Sequence, residues 1–476
     1  MKINSYIIFF KRIMKVNLVI APCLFAITTF AGDIKIGASQ VKITPLAGTP
    51  MAGYYYERGA DKIHDDLYAK AFVIEKDGNK VAIVACDLIG ISAEIVAEVR
   101  KIVQKSSGID ALHIMISATH AHTGPVIPTS KSRYNSTGKS AEILAAYIAT
   151  LPDLIAKSIL EANLALKPAQ IYFGLGHEES ISFNRRYFMT DGTVGWNPGK
   201  LNPKIIKPAG PIDPDVAVLY SETLTGNPIS TYVNFALHLD NVGGTEISAD
   251  LPFTLSNILG KFKGEEMVTI FSQGCSGNIN HINVKNTVPQ QGHGEAQRIG
   301  TVLAGEVLKT YTKLSPLNVT DISVKSQIVK LALPDVSPAE VPGAQQIVAR
   351  FGKQDAAPFF DFVKAFKTIE VYERKGKPID AEIQVFALSD SFAIVSLPAE
   401  IFTELGMYIK SRSPFANTIV VELTNGSIGY IPDRKAYIEG SYEPLSSRVA
   451  PGSGEILVEK ALEMLNDIKS KDFKTN

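Results

Sequence analysis

Apolar residues in this chain come in short unbroken runs that stop at polar or ionisable side chains. Residues 34–43 and 67–74 read as strands, Asp77-Gly78 as a hairpin turn, and residues 80–88 as a second, more apolar strand ending at Asp87. Ser92 is placed to cap a helix that runs to residue 106 and is closed by Gly108. The run Leu112-His113-Ile114-Met115-Ile116 predicts a buried strand. A long helical stretch covers 141–166, with a kink predicted at Pro152. Strands resume at 170–173, 216–220, 231–237 and 268–271, the last leading into Gly274-Cys275-Ser276-Gly277. Helices are predicted over 295–314, 344–366, 401–411 and 455–470, and residues 382–388 and 392–397 form a hairpin about Ser389-Asp390.

Strands and helices are interspersed, yet several neighbouring strands are hairpins. That predicts a mixed α/β fold, with mixed β-sheets and helices packed outside, rather than a doubly wound parallel sheet. No Pro-, Gly- or Ser-rich linker divides the chain, and the Pro-rich loop 197–214 reads as shaping a site. With 476 residues, 45% of them hydrophobic, the chain can bury a large core. Lys+Arg 48 balances Asp+Glu 48, which removes any electrostatic case for nucleic acid. Lys11, Arg12 and Lys15 precede the apolar run 16–30, and Thr29-Phe30-Ala31 offers small residues for cleavage. Residues 1–31 therefore read as a signal peptide and 32–476 as one exported domain, periplasmic or secreted. The apolar run is short for a membrane span and is interrupted by Pro22, so no anchor is expected in the mature chain. Export leaves Cys86 and Cys275, read as free buried thiols, although an oxidising compartment could pair them.

The candidate chemistry lies where apolar strands end. Ser117-Ala118-Thr119-His120-Ala121-His122-Thr123-Gly124-Pro125 places two imidazoles two residues apart, on one side of an extended chain and roughly 7 Å apart along it. That arrangement suits one metal ligand and one acid/base group. The same ending recurs at Cys86-Asp87, at Leu237-His238 and at Pro398-Ala399-Glu400. Strand ends along one sheet edge can converge on a pocket, or each can simply be where a strand meets solvent. His120, His238 and Glu400 supply two nitrogens and one oxygen, a set suited to zinc with a position left for water. In Asn184-Arg185-Arg186, the guanidinium forks suit a carboxylate, a phosphate or an oxyanion, or are two solvated surface charges. His281, after the turn Gly277-Asn278-Ile279-Asn280, could ligate metal, move protons or cap the turn. Tyr430 by itself reads as a packing aromatic.

Taken together, these segments resemble the neutral/alkaline (non-lysosomal) ceramidase family. The matching stretches are Met51-Ala52-Gly53-Tyr54, Leu67-Tyr68-Ala69-Lys70-Ala71-Phe72, the histidine motif, Asn184-Arg185, Asn234-Phe235-Ala236-Leu237-His238, Pro398-Ala399-Glu400 and Gly429-Tyr430. They occur in the family's order, and the histidine motif is the most specific. The resemblance implies the fold of that family's N-terminal catalytic domain, without its C-terminal immunoglobulin-like domain. It also implies a zinc amidohydrolase acting on a small-molecule or lipid-like amide, with zinc-activated water as nucleophile. The implied ligands are His120, His238, Glu400 and Tyr430, with His122 and Arg185 beside the scissile group and Tyr442 lining the site. Where the family carries a catalytic serine, this chain has Asn280, which cannot be a nucleophile but can donate to an oxyanion. His281, which follows it, is then a candidate for the acid/base function. His64, Asp87 and Asp250 lie in matched regions, either in the site or supporting it. The alternatives are a zinc hydrolase of another polar substrate, acylated or sugar-linked, and a non-catalytic binding protein on the same scaffold.

Overall fold

The computed structural model describes residues 34–56, 58–128, 137–351 and 357–473, so the predicted signal peptide lies outside the described residues. Two mixed sheets face each other. The larger contains β1 (Ile34–Lys42), β2 (Tyr68–Lys76), β3 (Asn79–Cys86), β4 (Ile114–Ala118), β5 (Lys167–His177), β6 (Asp215–Thr223), β7 (Pro228–Phe235) and β8 (Val268–Gln273). They lie in the order β8-β7-β6-β5-β1-β2-β3-β4, and Ser315–Pro316 adds a ninth short strand beside β5. The smaller sheet runs β9 (Ser323–Leu331), β10 (Ile379–Ser389), β11 (Phe392–Ser396) and β12 (Asn417–Val421) in sequence order.

Most neighbours are antiparallel. The pairs β3/β4, β7/β8 and β11/β12 are parallel. A parallel pair needs a crossover, and each has a helix between its strands: α1 (Ala93–Ser107), α3 (Leu251–Lys263) and α5 (Thr403–Arg412). Completing the set used below are α2 (Gly138–Leu164), α4 (His293–Tyr311) and α6 (Ser453–Asp472).

Alternation along the strands builds four layers. Phe72, Ile83, Met115 and Tyr232 of the larger sheet meet Phe386, Phe392, Ile394 and Val421 of the smaller in one core. The opposite faces pack against helices. Ala71, Val84 and Ile116 meet Val99, Leu151 and Ile155 of α1 and α2, and Val218 and Phe271 meet Leu255 and Leu303 of α3 and α4. On the smaller sheet, Ile383 and Val395 meet Ile409 and Leu465 of α5 and α6. Strands buried on both faces read as unbroken apolar runs, which is why the sequence displays them so clearly. Each fully buried Val, Ile, Leu or Phe contributes roughly 1.5–3 kcal/mol, so the strand ends are anchored by a rigid body. By length and composition α2 could cross a membrane, but its Leu151, Ile155, Ile159 and Ala162 belong to this core.

Most predicted elements are present, including the helix capped by Ser92, whose side chain accepts from the Ile95 N–H, and closed by left-handed Gly108. The single helix expected over 344–366 is instead two, Val341–Val348 and Phe359–Glu373. Pro358 caps the second, and a proline cannot continue a helix that precedes it. Of the elements labelled above, three escaped the sequence reading: α3, β12 and β9, an edge strand whose polar residues leave no apolar run. Cys86 and Cys275 are free and buried, and burial pushes both thiols above their ordinary range.

Candidate active site

All three parallel pairs deliver side chains from the carboxyl ends of their strands into one region, where open α/β sheets ordinarily bind ligands. Two residues past β4, His120 adopts a left-handed backbone with φ of 70°, a region that histidine visits more readily than bulky apolar residues do. Its N–H donates to the Leu88 carbonyl, and its Nδ1 lies 2.7 Å from the Ile89 carbonyl oxygen. A carbonyl only accepts, so Nδ1 carries a proton, and in the neutral form of the ring Nε2 presents a lone pair.

That lone pair faces other acceptors. His120 Nε2 is 3.0 Å from His238 Nε2, 3.3 Å from His122 Nε2 and 3.4 Å from Glu400 Oε2. All three imidazoles are buried, and a ligand atom from each lies within 4.8 Å of the others. Among the described residues, Glu400 Oε2, His238 Nδ1 and His122 Nδ1 are buried without a hydrogen-bond partner. Burial drives His238 well below its ordinary value and His122 down to about 3, in both cases reinforced by His120. Burial opposes ionisation of Glu400, but His120 overcomes it and holds the carboxyl at about 2. Mutually facing lone pairs beside a carboxylate form a donor set that a divalent cation satisfies.

Glu400 and Tyr430 stand abreast because Glu400–Ile401 pairs in parallel with Tyr430–Ile431. The Tyr430 phenol is linked to both Glu400 and Arg185. Arg185 is buried. Its Nε donates to Glu443 Oε1 at 2.8 Å, its Nη2 to the Gly277 carbonyl at 2.8 Å, and its guanidinium carbon lies 5.3 Å from the Tyr430 ring centre. Arg186 is also buried, donating to Glu443 Oε2 at 2.9 Å and to Glu439 at 3.2 Å, so neither arginine is a solvated surface charge.

A cavity of ≈ 260 Å³ opens onto this cluster, and it is lined by His120, His122, His238, Arg185, Glu400, Tyr430 and Tyr442. Its apolar wall is Trp196, whose ring stacks on Phe359 at 5.5 Å and 11° and approaches Tyr442 at 4.6 Å. Gly53 closes the side behind His122. A β-carbon there would lie 2.7 to 2.9 Å from His122 atoms, and its φ of 103° disfavours any side chain. Gly53→Ala should therefore shift His122 and lower turnover at least tenfold with an unchanged circular dichroism spectrum; unaltered kinetics would show that His122 placement is not limiting.

Two predicted residues stand behind the wall rather than in it. Asn280 donates from Nδ2 to Asn197 Oδ1 at 2.9 Å, and His281 Nδ1 lies 3.0 Å from Asp240 Oδ1 with Nε2 2.7 Å from the Gln290 carbonyl oxygen. The cavity is lined by Asn197 and Asp240, the residues they hold. His64 stacks on His293 at 3.6 Å, Asp87 accepts from the Tyr68 N–H, and Asp250 caps α3; none of the three lines the cavity. Asp240, Trp196 and Glu443 were not singled out from the sequence. Asp240 had a signal: His238-Leu239-Asp240 repeats the two-residue spacing of His120-Ala121-His122, and the His122 N–H donates to the Leu239 carbonyl.

Residues 34–192 match the family described as "Neutral/alkaline non-lysosomal ceramidase, N-terminal". Over that stretch the chain is similar to the neutral/alkaline ceramidase family. Neutral ceramidases B and A of Dictyostelium discoideum are each 27% identical to it, over 227 and 224 residues, 45% of this chain. Neutral ceramidase of Pseudomonas aeruginosa is 27% identical over 212 residues, 43% of this chain. The matched part spans only 30% of the length of these relatives. The crystal structure of the Pseudomonas aeruginosa neutral ceramidase superposes with a TM-score of 0.72 at 19% identity, covering 92% of this chain and 75% of that one. The ceramidase fold is thus present well beyond the segment where sequence likeness is detectable.

Proposed function

We propose that this protein is a member of the neutral/alkaline ceramidase family and an exported zinc-dependent hydrolase of amide bonds. The observation that carries the proposal is the cluster of facing acceptors, His120, His122 and His238 with Glu400, opening into one cavity. His120, His238, Glu400 and Tyr430 would hold the ion. When bound, zinc lowers the pKa of water toward neutrality and polarises a carbonyl.

The chain's own groups would do the rest. His122, at the cavity wall with Nδ1 unpartnered among the described residues, would carry a proton toward the leaving nitrogen. Arg185, fixed by Glu443 and the Gly277 carbonyl, would present its positive charge to the developing oxyanion without needing to reorganise. Tyr442 and Trp196 would exclude water from one side. Asn280 would contribute through Asn197 and His281 through Asp240, rather than by touching the scissile group. For export, the support is the basic stretch and apolar run at the N-terminus, with residues 1–31 as the signal peptide and 32–476 as the domain.

Ceramide is the substrate named by the relatives. The test is elemental analysis of purified protein together with hydrolysis of a short-chain ceramide and of simple N-acyl amines, before and after chelation. One zinc per chain and chelator-sensitive amide cleavage are expected. Metal-free protein with undiminished turnover would overturn the zinc assignment, and intact metal with no amide cleaved would favour a binding protein.

A further inference from the structure

Lys70 is a buried amine that the hydrolytic site does not use. It lies on β2 two residues before Phe72, so alternation sets it on the face whose Phe72 and Ile74 fill the core between the sheets. Lys70 is 6% exposed and makes no ion pair among the described residues. Its one hydrogen-bond partner there is Ser256, with Nζ 2.8 Å from Oγ. An unpaired buried ammonium is costly, which favours the neutral amine. Burial pushes Lys70 below its ordinary value, against the pull of Asp87 and Asp65. A neutral amine carries a lone pair, and a desolvated lysine of this kind is a base for a neighbouring hydroxyl.

Ser256 is presented by α3. Leu251, Leu255 and Leu259 seat one face of that helix in the core. Phe253, Ser256, Asn257 and Gly260 recur at three- and four-residue intervals and form a neighbouring face. Those four residues, with Lys70 and Asp87, line a second cavity of ≈ 250 Å³. It has no lining residue in common with the cavity over the histidine cluster. Ser256 is part-exposed while Lys70 is buried, so the hydroxyl is the reachable member of the pair.

A hydroxyl within hydrogen-bond reach of a neutral amine is the arrangement of a nucleophile with its base. Both groups stand on regular elements. Lys70 is paired in register with Gln40 of β1 and Ala85 of β3, and Ser256 lies within α3. The cavity carries charges of both signs, Asp66, Asp87 and Glu265 with Lys70 and Lys261, so no single-sign field selects a charged substrate.

We propose that Ser256 and Lys70 form a second catalytic pair, with Ser256 the nucleophile and Lys70 its base, which hydrolyses small uncharged esters through an acyl-serine. The Ser256 Oγ proton passes to Lys70 Nζ as Oγ bonds the ester carbonyl carbon. The alcohol leaves with that proton as its bond to the carbonyl carbon breaks. Water then cleaves the acyl-serine by the same proton transfer, which releases the carboxylic acid and restores both groups. This activity is separate from the amide-hydrolase reading and needs no metal.

The test gives the full-length protein p-nitrophenyl acetate with and without a chelator, and maps acetylated peptides by mass spectrometry after rapid acid quenching. Ester cleavage should persist after chelation, with an acetyl group on Ser256. Ser256→Ala should remove that adduct, and both it and Lys70→Met should lower the chelator-resistant rate at least ~100-fold, the scale of a lost general base. Ser256→Cys keeps a nucleophile at the same place and should still be acetylated there, which tests the pair even where the alanine variant does not fold. Absence of acetyl on residue 256 in both the native and the cysteine protein overturns the proposal. An unchanged chelator-resistant rate in Ser256→Ala also overturns it, as does an acetyl group on Lys70 instead. Ester cleavage abolished by the chelator overturns the second pair while leaving the zinc site standing. Loss of amide cleavage alone, with the acetyl-Ser256 adduct retained, removes the amide-hydrolase reading and supports this one.

Discussion

His120→Asn should leave a folded protein that has lost its metal and nearly all amide turnover. The choice of asparagine is deliberate. His120 sits at φ of 70°, where asparagine is tolerated and alanine is strained, so loss of activity would not be confused with loss of fold. The imidazole it replaces is the hub of the cluster, since His238, His122 and Glu400 all lie within 3.4 Å of His120 Nε2. Losing a Lewis acid removes several kcal/mol of transition-state stabilisation, and ~4 kcal/mol corresponds to roughly a thousandfold in rate. Elemental analysis, a thermal melt and turnover of a short-chain amide measured together decide the matter. Full zinc content with normal kcat in this variant would show that the ion is held elsewhere.

The second large effect is on stability. Glu443→Gln should cost about 3–5 kcal/mol and lower Tm by several degrees, because it breaks a buried ion-pair network rather than a surface pair. Glu443 is 0% exposed and accepts from Arg185 with one oxygen and from Arg186 with the other. Glutamine keeps the shape and removes the charge, leaving two buried guanidinium groups with too few acceptors. Arg186 retains Glu439 and the Gly440 carbonyl, whereas Arg185 keeps the Gly277 carbonyl and the Tyr430 phenol but loses its carboxylate partner, so turnover should fall together with stability. Denaturant and thermal unfolding read the first consequence and kcat the second. A variant with unchanged Tm would mean that the arginines are neutralised by another group.

The sequence determined the strands buried on both faces, since their apolar runs need no tertiary information to be seen. It also singled out His120, His122, His238 and Glu400 as candidates, because an apolar strand that stops at a ligand-type residue is a local event. β9, too polar to display a run, was not visible in this way, nor were β12 and α3, and the helix expected over 344–366 is broken at Pro358. Which ligand-type residues meet was decided only by topology. Three parallel strand pairs, each needing a helical crossover, bring residues as far apart as His120 and Glu400 to within 3.4 Å. Tyr430 reads as a packing aromatic until a two-residue ladder sets it beside Glu400. Asn280 and His281 read as members of the site until their hydrogen bonds turn them toward Asn197 and Asp240, the residues that face the cavity. Side-chain direction behind a wall depends on partners tens of residues away, and no local pattern along the chain encodes it.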